Sequence, residues 1–228
     1  MKIFIDTADI AQIRKYAKFG FIDGVTTNPA LLAKEGRHFL DVVNEILDII
    51  DGPISGEVVS LDAENMIREA RSLSKIHHNI VVKLPAIPPG FEALRVLSEE
   101  GIKTNFTVVY NANQALLAAK NGATYVSPFV GRLDANAGHG SSLISEIVKI
   151  FNNYEFDTKI LAASMRNSIY VKEAALAGAH IATIPPEILD DMMTSELSEV
   201  ALKGFLDQWD KLSNENKDIF KEENEAKK

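Results

Sequence analysis

Short apolar runs rich in β-branched residues recur along the chain, and each is followed by a stretch whose apolar positions fall at helical spacing. The pattern predicts strands over 2–6, 24–27, 54–59, 80–84, 103–109, 125–129, 159–163 and 180–184. Helices are predicted over 9–19, 39–50, 62–76, 91–100, 111–120, 143–151, 168–177 and, after the eighth strand, 195–212. Gly20, Gly101, Gly122 and Gly178 punctuate helix ends, where a left-handed residue is commonly needed. A strand returns at roughly 25-residue intervals, the beat of a repeated βα unit. The expectation is an α/β chain folded as a (β/α)8 TIM barrel, one domain with a C-terminal helix. A doubly wound open sheet uses the same alternation, so the class is better determined than the closure. The barrel is expected over 1–212, and 213–228 is expected to be a charged, flexible tail, because NENKDIFKEENEAKK is nearly free of apolar residues.

Composition narrows the chemistry. With 46% hydrophobic residues, 228 residues are enough for one large core. The 24 basic and 32 acidic residues leave a net charge of -8, which works against binding the polyanionic backbone of nucleic acid. An anionic small substrate therefore needs a local basic pocket. The absence of cysteine removes disulfides, iron–sulfur clusters and a thiol nucleophile. The start MKIFIDTADI reaches an acid at Asp6 too early for a secretory segment, and no apolar run approaches a membrane span, so a cytoplasmic location with no membrane partner is expected.

Three charges interrupt strands that are otherwise apolar: Asp6 in IFIDT, Glu57 in ISGEVV and Lys83 in IVVKLP. Each alone would pass as a rim residue or a buried ion-pair partner. Burying all three is costly unless they are paired, and barrel active sites are built at the C-terminal ends of strands. Alternation puts Val81 with Lys83, and Phe4 with Asp6, on one face, so both charges can point into the barrel mouth. Desolvation of an amine favours its neutral, nucleophilic form, and neighbouring carboxylates favour the ammonium. The sequence leaves that balance open.

Polar residues gather at the other strand ends: Thr26, Thr27 and Asn28 after the second, Asn105 and Thr107 in the fifth, Ser127 in the sixth and Ser164 after the seventh. Singly, each reads as a cap or turn residue; jointly, they mark one end of the barrel. Arg132 in FVGRLD and Arg166 in ASMRN, each of which alone reads as an exposed surface arginine, add two guanidinium groups on neighbouring loops, a fork geometry suited to phosphate oxygens, and Asn167 can open a helix whose free N–H groups assist.

The segments DGVTTNPALLAKEG, IVVKLP, TNFTVVY, YVSPFVGRLD and ILAASMRN resemble the signature segments of the transaldolase family, in order, over residues 2 to about 209. The compact length resembles the small branch that holds microbial transaldolases and fructose-6-phosphate aldolases. The resemblance implies a (β/α)8 barrel without metal or organic cofactor, and a Schiff-base lysine at Lys83. It implies that Glu57 and Thr107 hold a proton-shuttling water and that Asp6 takes the C4 hydroxyl proton as the C3–C4 bond breaks. Asn28, Asn105, Ser127 and Ser164 would orient the dihydroxyacetone fragment, and Arg132 and Arg166 would bind the phosphate. The implied reaction moves a dihydroxyacetone unit between sedoheptulose 7-phosphate or fructose 6-phosphate and glyceraldehyde 3-phosphate or erythrose 4-phosphate, in the pentose phosphate pathway.

By the same resemblance, fructose-6-phosphate aldolases carry Gln at the position of Glu57 and Tyr at that of Phe129, and transaldolases carry Glu and Phe. This chain has the transaldolase pair. An aldolase that releases free dihydroxyacetone is the alternative, and a non-catalytic phosphosugar-binding barrel is the rival from another class. No GxGxxG or GxxxxGK follows a strand, and Gly138 and Gly140 lie in a long loop without such a motif. The histidines His38, His77, His78, His139 and His180 have no zinc-ligand spacing, so no metal site is expected. The resemblance also implies a homo-oligomer built from pentamers, usually decamers, in which the C-terminal helix reaches a neighbour. Val200, Ala201, Phe205, Trp209 and Leu212, at helical spacing, suit that contact or simple packing on the barrel.

Overall fold

A computed structural model of the chain describes residues 1–131, 140–212 and 217. Eight parallel strands close into a barrel in the order β1 to β8: β1 Lys2–Asp6, β2 Gly24–Thr26, β3 Ile54–Glu57, β4 Ile80–Pro85, β5 Thr104–Val109, β6 Tyr125–Pro128, β7 Lys159–Ala162 and β8 Ile181–Ile184. Closure comes from β1 pairing with β8, with Phe4 opposite Thr183. The open-sheet alternative is thereby excluded. The helices that precede the C-terminal one are α1 Ile10–Ala17, α2 Pro29–Glu35, α3 Phe39–Ile49, α4 Ala63–Ser74, α5 Pro88–Glu99, α6 Ala112–Lys120, α7 Gly140–Asn153, α8 Ser168–Leu176 and α9 Pro186–Met193 among the described residues. The last helix among the described residues is α10 Glu196–Trp209.

Every strand appears where the apolar runs predict it, but several end earlier: β2 stops at Thr26, β3 at Glu57 and β6 at Pro128, with Phe129 left as a single bridge to Ala163. Two helices, α2 and α9, were not expected. Both are short and open on a proline, which reads as a breaker in sequence yet fits the first helical turn, where its missing N–H is not needed. In α2, Asn28 caps the end by accepting from Leu31 N at 2.9 Å. The same tolerance lets α5 begin at Pro88 rather than at residue 91.

Contacts group the chain into two compact units, Met1–Leu189 and Asp190–Lys228. The first holds the whole barrel and two apolar clusters. The larger lies between strands and helices, with Val82, Leu84, Phe106, Val109 and Ile160 all fully buried against helical partners such as Leu94, Leu97 and Ile147. The smaller fills the barrel's inside, where Phe4, Leu161, Ala163 and Ile181 pack with Tyr125 and Phe129, and Phe4 meets Tyr125 edge-on at 6.3 Å. The second unit contains α10, capped by Ser195, and none of its residues is buried. Leu197, Val200, Phe205 and Leu206 are all exposed. The expected tail 213–228 lies outside the described residues, apart from Lys217. Among the described residues, no helix is long and apolar enough to cross a membrane.

Strand β5 carries one irregularity that sequence alternation does not reveal. Its register against β6 shifts between Phe106 and Val109, and Val108 has φ 61°. A β-branched residue in the left-handed region is strained, and the extra residue is a bulge. It lets Phe106 and Val109, three positions apart, both enter the outer apolar cluster while Thr107 between them lines the interior.

Candidate active site

The inner faces of the strands change character from one end of the barrel to the other. Below lies the apolar plug; above it, residues two positions further along the same strands are polar, as Phe4 gives way to Asp6 and Ile181 to Thr183. These upper side chains surround a cavity of about 120 Å³. Asp6, Asn28, Lys83, Asn105, Thr107, Ser127, Phe129 and Ser164 all line it. The scattered strand-end residues thus converge on one site.

Lys83 is 6% exposed, and its ammonium has two partners at 3.0 Å: the Glu57 carboxylate and the Thr27 carbonyl oxygen. β3 and β4 run in register with Glu57 opposite Lys83, so the pair is set by the ladder itself. An ion pair taken this far out of water gains little net stability, because desolvation offsets most of the attraction. Its presence at the mouth of a cavity therefore points to chemistry rather than scaffolding.

The other polar groups form short chains. Ser127 donates to Asn105 Oδ1 at 2.6 Å, and Asn105 Nδ2 donates to Ser55 Oγ at 3.2 Å, fixing the amide so that its orientation is not free. Thr26 donates to Asp6 at 2.7 Å and also contacts the Thr183 hydroxyl. Thr107 Oγ1, wholly buried, has no hydrogen-bond partner among the described residues. A buried hydroxyl facing a cavity is satisfied by whatever occupies that cavity.

Desolvation inside the barrel raises the Asp6 carboxyl above its ordinary value, and the negative charges of Glu187 and Glu57 add to this; the Thr26 hydrogen bond and Lys83 act in the opposite direction. A carboxyl with a raised pKa is suited to taking a proton and giving it back.

Phe129 closes one side of the cavity and meets Tyr110 edge-on at 5.8 Å. Ser164 sits beyond β7 with φ 60°. Its carbonyl oxygen lies so near Gly131 that a Cβ built there would be 2.2 Å away, and 2.9 Å from Arg166 Cγ. Arg166 therefore runs across Gly131, with its side chain exposed at the rim rather than inside. Arg132, the other arginine of interest, lies outside the described residues.

Sequence reasoning misses two further lining or supporting residues. Thr183 and Ser55 occupy inward positions that alternation from Ile181 and Glu57 would have indicated, and Thr26 was noted only as part of a polar cluster. Hydroxyls in strands are common enough that they give no signal alone. Among the described residues, no group of three or more His, Cys, Asp or Glu side chains is placed to hold a metal ion.

Comparison with known proteins agrees with this picture. The family model for "Transaldolase/Fructose-6-phosphate aldolase" matches residues 3–227. A "Probable transaldolase" of Caldicellulosiruptor saccharolyticus is 57% identical over 217 residues, covering 95% of this chain and 100% of that protein. Proteins of the same description from Aquifex aeolicus, 52% identical over 93% of this chain and 98% of that one, and from Methanococcus vannielii, 51% identical over 92% and 98%, are also similar. Among solved structures, a thiamine phosphate pyrophosphorylase from Pyrococcus furiosus superposes with a TM-score of 0.55 at 16% identity, covering 81% of this chain and 85% of that one, which speaks for the barrel fold alone.

Proposed function

Given that the chain belongs to the transaldolase/fructose-6-phosphate aldolase family, we propose that it is a transaldolase that carries a dihydroxyacetone unit on Lys83 from a ketose phosphate to an aldose phosphate. The observation that carries this reading is Lys83, buried on the wall of a small polar cavity, with the Glu57 carboxylate beside it at 3.0 Å. Once it gives its proton to Glu57, the Lys83 amine attacks the C2 carbonyl of sedoheptulose 7-phosphate or fructose 6-phosphate. Glu57, with a water held against the Thr107 hydroxyl, returns the proton to the departing oxygen, and the carbinolamine loses water to give the protonated imine. Asp6 then takes the C4 hydroxyl proton while the C3–C4 electron pair flows into the imine. The aldose phosphate leaves. The enamine that remains adds to glyceraldehyde 3-phosphate or erythrose 4-phosphate, Asp6 returns its proton to the new hydroxyl, and hydrolysis of the imine frees Lys83.

Asn28, Asn105, Ser127 and Ser164 orient the three-carbon fragment. The cavity of about 120 Å³ lies well under the ~300–1,000 Å³ that encloses a whole drug-sized ligand, which supports only the ketol end entering while the phosphate stays at the rim. Arg166 and Arg132 hold that phosphate. Phe129 has no hydroxyl with which to protonate the enamine, and this favours transfer over release of free dihydroxyacetone. The reading puts the enzyme in the cytoplasm, in the pentose phosphate pathway, as a pentamer-based homo-oligomer.

The test supplies fructose 6-phosphate with and without erythrose 4-phosphate. A transaldolase forms product only when the acceptor is present. Equal turnover without acceptor, with free dihydroxyacetone accumulating, would make the protein an aldolase; binding without turnover in either case would make it a phosphosugar-binding barrel.

A further inference from the structure

Glu57 must hold its carboxylate against Lys83, yet it is the last residue of β3. Beyond it, the backbone makes one further ladder contact, Val58 N donating to Lys83 O at 3.2 Å. The chain then crosses to α4, whose start is fixed by Asp62 accepting from Asn65 N at 2.9 Å. Val58 is buried in the outer apolar cluster, but burial does not hold the rest of the crossing in place, because Val59 and Leu61 are 69% and 75% exposed. Past Val58, the crossing is hydrogen-bonded to a side chain from the second turn of α4. Glu69 accepts from Val59 N at 2.8 Å and Ser60 N at 3.2 Å with one carboxylate oxygen, and from the Ser60 hydroxyl with the other.

We infer that Glu69 is a positioning residue for the reaction, pinning the segment after β3 so that Glu57 stays on Lys83. The inference rests on the reading of Glu57 and Lys83 given above. Burial alone would raise the Glu69 carboxyl, but the hydrogen bonds from Ser60 and Val59 carry it below its ordinary value, so the clamp works as a charged acceptor. A carboxylate is the side chain that suits the arrangement, since both oxygens face donors. Loss of the clamp frees the crossing to swing, and a displacement of about 1 Å at Glu57 is enough to slow proton delivery many-fold. The substrate's phosphate and hydroxyl contacts lie on other loops and are left as they are.

Steady-state kinetics and borohydride trapping on the full chain test this. Glu69→Ala is expected to lower kcat and the rate of imine trapping at Lys83 about tenfold, with KM for the ketose phosphate unchanged within about twofold. Glu69→Gln is expected to stay within about threefold of the parent, because its amide can offer the carbonyl oxygen to both backbone N–H groups and donate to the Ser60 oxygen. In a Glu57→Gln background, Glu69→Ala should cost nothing more, as two residues acting through one group do not add. Should Glu69→Ala fail to fold by thermal unfolding, Ser60→Ala, which leaves both backbone donors, is read in the same two backgrounds with a smaller expected loss. An effect that multiplies with Glu57→Gln, or full activity in Glu69→Ala, overturns the proposal while the parent still forms its Lys83 adduct. A parent that forms no adduct at Lys83 overturns the reading of the site, and the proposal with it.

Discussion

Lys83 was visible in the sequence because a charge inside IVVKLP conflicts with an apolar strand, and the same conflict exposed Asp6 and Glu57. Thr183 and Ser55 were not visible, because a hydroxyl in a strand conflicts with nothing. Asp6 also carries a stability consequence. A carboxyl whose folded pKa exceeds its unfolded value binds its proton more tightly when folded, so its contribution is present at acid pH and lost as pH rises through the raised value. Asp6→Asn, which keeps an acceptor for Thr26, should therefore raise the melting temperature, and more at neutral than at acid pH, while abolishing turnover. Melting curves across that range check the sign; a variant less stable at neutral pH would contradict it. If Arg166 and Arg132 hold the sugar phosphate as proposed, Arg166→Ala and Arg132→Ala each remove a charge-assisted hydrogen bond worth ~1.5–3 kcal/mol, so KM for phosphorylated donors should rise roughly 10- to 100-fold. Unphosphorylated donors provide the control, and equal losses with both would remove the phosphate assignment.

At the scale of elements, β-branched runs between helical stretches made all eight strands legible, since a strand covered on both faces is an unbroken apolar segment. Short helices were harder to read. In α2 and α9, seven and eight residues long, the leading proline hides a helix too short for periodicity to declare. The bulge at Val108 left no trace in TNFTVVY, because a register shift depends on the partner strand. Strand-end geometry also governs how the loops after β6 and β7 meet. Gly131 lies under the Ser164 carbonyl and the stem of Arg166, so Gly131→Ala forces a 2.2 Å clash with backbone. The expected cost is about 1–3 kcal/mol of stability, with a raised KM for the sugar phosphate as Ser164 and Arg166 shift. Denaturant unfolding and kinetics measure both; an unaffected KM would mean those loops do not carry the phosphate site.

At the scale of the whole molecule, closure of the barrel brings residues from seven of the eight strands or their ends to one cavity, which no local pattern could display. The C-terminal helix α10 is a different case: its apolar positions were legible, and they remain exposed, with Phe205 at 72% and Leu197 at 81%. A face of that kind is suited to a second copy of the chain. Light scattering on the full chain and on one truncated before Ser195 is expected to give a pentamer-based oligomer and a smaller species respectively; a monomeric full chain would rule this out. The central claim, that the buried lysine is the covalent catalyst, is tested most directly by mass. Borohydride reduction with fructose 6-phosphate present should add one dihydroxyacetone-derived or ketose-derived adduct per chain, mapped to the peptide containing Lys83 and absent in Lys83→Met. An adduct on another lysine, or near-parental turnover in Lys83→Met, would contradict the account.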